Sequence, residues 1–221
     1  MALEALEAET GPNPTNVIII LHGLGADGHD FVPIAQELDL SSLGPVRYVF
    51  PHAPSMPVTI NGGYVMPAWY DILSLDAQSR REDEAGLRQS QALVEALIAR
   101  EKARGISARR IVLAGFSQGC AMTLMTGLRH AERLAGLVCM SGYLPLAAQA
   151  EAERHDSNRD VPIFMAHGTL DPVIAIARAR ASRDALVRLG HPVEWHEYPM
   201  PHSVCAEEIE HLQAWLRRAL A

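Results

Sequence analysis

The sequence predicts an α/β fold, with a mostly parallel central sheet and helices on both faces. Apolar, strand-like runs alternate with segments of helical periodicity. The strand runs are continuously apolar rather than alternating, as in strands buried on both sides. No repeat, low-complexity segment or linker divides the chain. The 221 residues, 48% hydrophobic and 20% charged, suit one domain over 1–221 with a large core and no need of disulfides or structural metal.

Each element has its own signal. Leu3 to Glu9 fits a helix or an edge strand equally. Val17-Ile-Ile-Ile-Leu21 is a buried strand, followed by a helix from about Asp30 to Leu38. Val46 to Phe50 is a strand stopped by Pro51. Residues Pro51 to Tyr70 hold four prolines and the pair Gly62-Gly63, and they read as a long irregular loop. Loops of this length are usually functional, so the stretch at about 51–75 is expected to cover a substrate. Asp83 to Arg104 is a helix with Leu87, Val94, Leu97 and Ile98 on one face and Gly105 as its stop. Arg110 to Ala114 is a strand and Gln118 to His130 a helix. Leu137 to Met140 and Pro162 to Ala166 are strands, with a polar surface segment, Glu151 to Asp160, between them. Val173 to Leu189 is a helix closed by Gly190, and Val193 to His196 a short strand. The last helix starts near Ser203 as N-cap and buries Ile209, Leu212, Leu216 and Leu220.

A net charge of −7 without a basic stripe argues against nucleic acid and against anionic membrane surfaces. The acidic start lacks the basic and apolar parts of a secretory signal, and no run reaches transmembrane length. A cytoplasmic protein without stable membrane insertion is the expectation. Cys120, Cys139 and Cys205 form no Cys-x-x-Cys pair and read as free, buried thiols of a reducing compartment. None of the ten histidines has zinc-ligand spacing, so no metal is expected.

Gly115-Phe-Ser117-Gln-Gly119 matches G-x-S-x-G between a strand and a helix. That is the setting of the nucleophile elbow in the α/β-hydrolase fold. A serine hydroxyl needs a base and a group to orient the base, which in this fold follow in the order Ser, Asp or Glu, His. Asp171, in the turn after the strand ending at Ala166, is the candidate acid. As an Asp before Pro172 it would also serve as a helix N-cap. Asp156 and Asp160 precede that strand and are weaker candidates. His202, between the last strand and the last helix, is the candidate base. His196 lies within a strand, and His167 breaks the chain order. His22-Gly-Leu24-Gly follows the first buried strand, where backbone N–H groups can hold an oxyanion. Leu24 and Gln118 are the candidate donors.

Gly23-Leu-Gly25-Ala-Asp-Gly28 also spells the G-x-G-x-x-G dinucleotide fingerprint, which makes a nicotinamide-dependent oxidoreductase the rival class. The fingerprint requires an acidic residue about 20 positions on, at the end of the next strand. That strand ends Tyr48-Val-Phe50-Pro51-His52, without a carboxylate.

Four segments together resemble the carboxylesterase, acyl-protein thioesterase and lysophospholipase family. They are Leu21-His-Gly-Leu-Gly-Ala-Asp-Gly28; Pro57-Val-Thr-Ile-Asn-Gly-Gly63 with Met66-Pro-Ala-Trp-Tyr-Asp71; Gly115 to Gly119; and His167-Gly-Thr-Leu-Asp-Pro172 with Pro201-His202. The resemblance implies Ser117, Asp171 and His202 as triad, Leu24 and Gln118 as oxyanion donors, and an early strand at Leu3 to Glu9. It also implies hydrolysis of short- to medium-chain esters, acyl thioesters or lysophospholipids without a cofactor. Many members are dimers, which admits a homodimer here. Cys120 departs from the glycine frequent at its position.

The expected chemistry is acyl transfer through Ser117 from a small ester or acyl substrate. A carboxylesterase is the first reading and an acyl-protein thioesterase or lysophospholipase the alternative. Ile60, Trp69 and Leu73, with Val173 and Met200, are candidates to line an acyl groove. The alternative for each is packing of the loop onto the core.

Overall fold

The computed structural model describes residues 3–74 and 81–221; the final residue of the loop expected at about 51–75 lies outside that range. The strands are β1 (Ala5–Glu9), β2 (Asn16–Leu21), β3 (Val46–Pro51), β4 (Ser55–Val58), β5 (Tyr64–Pro67), β6 (Ile111–Phe116), β7 (Gly136–Met140), β8 (Ile163–Gly168) and β9 (Val193–Tyr198). The helices are α1 (Val32–Glu37), α2 (Glu84–Ala103), α3 (Gln118–Gly127), α4 (Ala150–Glu153), α5 (Ile176–Arg188) and α6 (Ala206–Ala219).

Seven strands form one sheet in the order β1-β3-β2-β6-β7-β8-β9. Only β1 is antiparallel, pairing Ala5 with Pro51 and Glu9 with Arg47; the other pairings are parallel. The early segment is thus an edge strand. Alternation along the buried strands explains why both faces carry helices. Val17, Ile19 and Leu21 of β2 pack into the core beneath α2 and α3. Ile18 and Ile20 point into the core beneath α1 and α6. Strand β6 divides the same way, with Ile111 and Leu113 on one face and Val112 and Ala114 on the other. The chain builds outward from β2 in one direction and from β6 in the other. The loops after β2 and β6 therefore meet at a topological switch point, where ligands bind in open α/β sheets.

Four expectations are corrected. The stretch after Pro51 is not irregular: β4 and β5 form an antiparallel hairpin, with Ser55 opposite Pro67 and Pro57 opposite Val65. A two-stranded ribbon has only edges, so prolines that would break a central strand are tolerated. Gly62 and Gly63 turn the hairpin at φ of 66° and 79°, where L side chains are strained. The helix after Asp171 starts at Ile176 rather than Val173, because the Asp171 carboxylate holds Val173 and Ile174 in a turn. The last helix is capped by Cys205, not Ser203; Ser203 is engaged in a tight turn through its N–H to the Pro201 carbonyl at 2.9 Å. The segment Glu151 to Asp160 contains α4 and a short 3-10 turn whose Asn158 is buried. Its amide binds the His130 and Glu132 carbonyls. Among the described residues, no helix is long and apolar enough to cross a membrane.

Candidate active site

Strand β6 delivers the chain to Ser117, which sits between strand and helix at φ 55° and ψ −115°. Such a conformation costs a non-glycine residue of order 1–3 kcal/mol and persists only where its surroundings enforce it. Here the Ser117 N–H donates to the Met140 carbonyl at 2.9 Å. The flanking glycines are required by close approach. A Cβ on Gly115 would lie 2.2 Å from the Gly119 carbonyl oxygen, and one on Gly119 would lie 2.0 Å from that of Leu21. The elbow is thus pressed against the end of β2, and α3 points its N-terminus at the same place.

His202 Nε2 lies 2.9 Å from Ser117 Oγ, and His202 Nδ1 lies 2.6 Å from Asp171 Oδ2. With Asp171 as acceptor, the proton of a neutral imidazole resides on Nδ1, which leaves Nε2 to accept from the serine hydroxyl. Asp171 is not the helix N-cap its position before Pro172 suggested: Ala175 holds that place, and the two Asp171 oxygens are divided between His202 and a turn. Oδ2 faces His202, while Oδ1 accepts the N–H groups of Val173 and Ile174 at 2.8 and 2.9 Å. Burial alone would raise its carboxyl. The bond from His202 and the two N–H groups outweigh burial and hold it below the ordinary value, so it is ionised at neutral pH.

The rival residues are elsewhere. Asp156 and Asp160 are exposed partners of Arg159 and Arg133. His196 lies in β9 and binds Glu194 at 3.1 Å. His167 is buried beneath Asp171; its Nε2–H donates to the Ile174 carbonyl at 2.8 Å and stands 3.3 Å from Asp171 Oδ2. Burial lowers its pKa, which keeps it neutral beside the carboxylate.

Leu24 lies in the loop after β2. That loop is tied to the hairpin by the Gly25 N–H to the Pro67 carbonyl at 2.8 Å. Gln118 opens α3, so its N–H is one of those without an intrahelical acceptor. Gly28, the last glycine of the dinucleotide-like pattern, gives its N–H to His52 Nδ1 at 3.3 Å. That N–H is spent within the protein instead of facing a phosphate.

The five groove candidates separate. Val173 is exposed in the turn beside Asp171, and Ile60 and Leu73 are half-buried. Trp69 is 0% exposed and Met200 packs within the core against which α6 lies. For these two the packing alternative holds. Trp69 spends its backbone N–H on Gln118 Oε1 at 2.8 Å and its indole N–H on the His22 carbonyl at 2.9 Å. Other residues at the site were not anticipated. The Phe116 ring lies 4.8 Å from that of His202. His22 is fully buried; its Nδ1–H reaches the Gly23 carbonyl at 2.7 Å and its Nε2 accepts the Ala53 N–H at 3.0 Å. Burial lowers its pKa. Cys120 and Cys139 are both buried, and burial together with the neighbouring Cys120 thiol pushes the Cys139 thiol well up.

The phospholipase/carboxylesterase family model matches residues 4–220. An acyl-protein thioesterase 1 of Neurospora crassa is 42% identical over 214 residues, covering 93% of this chain and 87% of the relative. One from Yarrowia lipolytica is 39% identical over 206 residues, covering 91% of each. Among solved structures, Arabidopsis thaliana SOBER1 superposes with a TM-score of 0.88 at 30% identity, over 93% of this chain and 99% of that one. Zea mays acyl-protein thioesterase 2 gives 0.83 at 28%, over 98% and 99%. An α/β-hydrolase architecture and a family match of this extent leave no room for the oxidoreductase reading: the chain belongs to the phospholipase/carboxylesterase family and is a hydrolase of ester or thioester bonds.

Proposed function

We propose that the chain is a serine thioesterase that removes acyl groups from protein thiols, with simple carboxylic esters as secondary substrates. The observation that carries the hydrolytic mechanism is the chain of contacts from Ser117 Oγ through His202 to Asp171, set on a strained elbow. The order of substrates is a correction to the sequence reading, which put simple esters first. Relatives named acyl-protein thioesterase, at 42% and 39% identity, support placing the thioester ahead.

In this reading Ser117 Oγ attacks the acyl carbonyl while its proton passes to His202 Nε2. Asp171 holds the Nδ1–H and stabilises the imidazolium that forms. The backbone N–H groups of Leu24 and Gln118 receive the oxyanion. Collapse of the tetrahedral species expels the thiol, protonated by His202. Water then enters, gives its proton to His202 and attacks the acyl-serine; His202 returns that proton to Ser117 Oγ as the C–O bond breaks and the acid is released. Thiols, with a pKa near 8.5, are better leaving groups than alcohols. The same machinery therefore handles thioesters without further acid catalysis.

The test is a comparison of one acyl group presented as a thioester of a cysteine peptide, as a simple ester and as a lysophospholipid. The expected result is the highest kcat/KM on the peptide thioester. Ser117→Ala should lower all three by on the order of 10⁵–10⁶. A Ser117→Ala protein with near-normal turnover sinks the mechanism, and a preference for lysophospholipid sinks the substrate assignment.

A further inference from the structure

The two proposed oxyanion donors belong to loops far apart in sequence, so their spacing must be set by something that touches both. Trp69 does. Its backbone N–H donates to Gln118 Oε1 at 2.8 Å, and its indole N–H donates to the His22 carbonyl at 2.9 Å. Gln118 returns the contact, giving its Nε2–H to the Tyr70 carbonyl at 2.7 Å. The Trp69 carbonyl accepts the Ser90 hydroxyl of α2. Each hydrogen-bonding group of Trp69 is therefore committed within the protein, and the side chain is 0% exposed.

The far side of the bridge is equally determined. The His22 ring stands 5.4 Å from the Trp69 ring, and its two nitrogens are taken by the Gly23 carbonyl and the Ala53 N–H. Residues 22 and 23 thus have ring and carbonyls fastened immediately before Leu24. Gln118 has its side-chain amide fastened, while its own backbone N–H, at the first position of α3, lacks an intrahelical acceptor. An indole and an amide, neither within reach of a substrate, hold the two halves of one anion-binding site.

We infer that Trp69 and the side chain of Gln118 are positioning residues that set the separation of the Leu24 and Gln118 N–H groups. The inference rests on the proposed function, because it assigns those two N–H groups to the oxyanion. Preorganised donors stabilise a transition state only if they are already at the oxyanion's place. The consequence is a role confined to the tetrahedral species. Loosening the bridge should weaken the transition state and leave substrate binding and the titration of the histidine unchanged.

The experiment uses Trp69→Phe, which keeps an aromatic ring but loses the indole donor, and Gln118→Met, which keeps length but loses both amide contacts. The readouts are kcat and KM on a short acyl thioester, the inhibition constant of an alkyl trifluoromethyl ketone, the pH profile and the melting temperature. The ketone takes Ser117 Oγ into a C–O bond while the carbonyl π pair becomes an oxyanion and the serine proton moves to His202, so its affinity reports the anion site. Each variant is expected to lose about 10- to 100-fold in kcat with KM within about threefold. Ketone affinity should fall in parallel with kcat/KM, without a shift in the pH midpoint. The double variant should lose less than the product of the two, as expected when both act on one unit. Should Trp69→Phe fail to fold, Gln118→Met carries the same comparison. A folded variant with ketone affinity and kcat within twofold of wild type overturns the inference, as does a melting-temperature loss with unchanged kinetics. A wild-type protein that neither binds the ketone nor is labelled at Ser117 by a fluorophosphonate would overturn the proposed function instead.

Discussion

At the carboxyl ends of β8 and β9 a carboxylate side chain, Asp171, is fully buried against two imidazoles, those of His202 and His167, and two backbone N–H groups. Near the amino end of β3 another, Glu101, is equally buried but faces guanidinium groups. Arg47 contacts it at 2.8 Å, and Arg100 and Arg104 at 3.2 Å. Glu9 and Glu7 close that network from outside, on Arg47 and on Arg100 with Arg104. The two regions dispose of the same charge differently. Around Glu101, three arginines balance three carboxylates, and nothing is left to gain from a further cation. Around Asp171 the side-chain partners are imidazole rings rather than guanidinium groups. In the proposed mechanism the His202 ring becomes a cation beside Asp171 as Ser117 attacks. In that mechanism the Asp171 end keeps its best electrostatic arrangement for the transition state, whereas the ion-pair end realises its own in the ground state.

The comparison is tested most severely at Asp171. Asp171→Asn retains an oxygen for the Val173 and Ile174 N–H groups but removes the charge that the imidazolium needs and no longer dictates the tautomer. The expected loss is about 10³- to 10⁴-fold in kcat, with a melting temperature within a few degrees of wild type. A loss below tenfold would mean that His202 does not rely on this carboxylate.

Glu101→Gln should do the reverse. It leaves the buried Arg47, whose side chain is only 9% exposed, with Glu9 as its remaining carboxylate among the described residues. Removing one member of a buried pair costs about 3–5 kcal/mol. Denaturant unfolding should show that loss, while kcat per folded molecule stays at the wild-type value. A drop in kcat without a drop in stability would connect the two ends and break the contrast.

How much of this arrangement could be read in advance follows from where its causes lie. The strands and the meeting of Ser117, Asp171 and His202 were legible because local pattern places them: apolar runs make buried strands, and the loops at their carboxyl ends converge. The elbow was legible for the same reason, since its glycines answer a close approach between adjacent elements. The hairpin at β4 and β5 was not, because its prolines carry the signal of a loop and only pairing partners reveal an edge ribbon. Trp69 and Met200 were placed in the groove on hydrophobicity, which is shared by lining and packing residues alike. What separates them is the direction of the side chain, and for Trp69 that is decided by acceptors on Gln118 and His22, far away in sequence. The start of α6 shifted because Ser203, a good cap by type, was engaged in a turn of its own.

Glu208 supplies the third and gentlest form of the comparison, a buried carboxyl group with no cationic partner among the described residues. It lies in the first turn of α6, just after the loop that carries His202, and is 0% exposed. Neither carboxylate oxygen has a well-formed hydrogen bond. Burial, only partly offset by the nearby Cys205 backbone, pushes its carboxyl up to about 8 from an ordinary 4.5. Unlike Asp171 and Glu101, it avoids the cost of buried charge by keeping its proton. The sign of the pH dependence follows. Between 4.5 and 8 the native state holds a proton that the unfolded chain has released, so this group's contribution to stability falls as pH rises across that window and levels off above it. Glu208→Gln has no proton to lose. Its stability should match wild type near pH 5 and exceed it by roughly 1–3 kcal/mol at pH 8, so the two stability curves diverge with pH. Parallel curves from pH 5 to pH 8 would show that Glu208 is ionised and paired in solution, and would move it into the same class as Glu101.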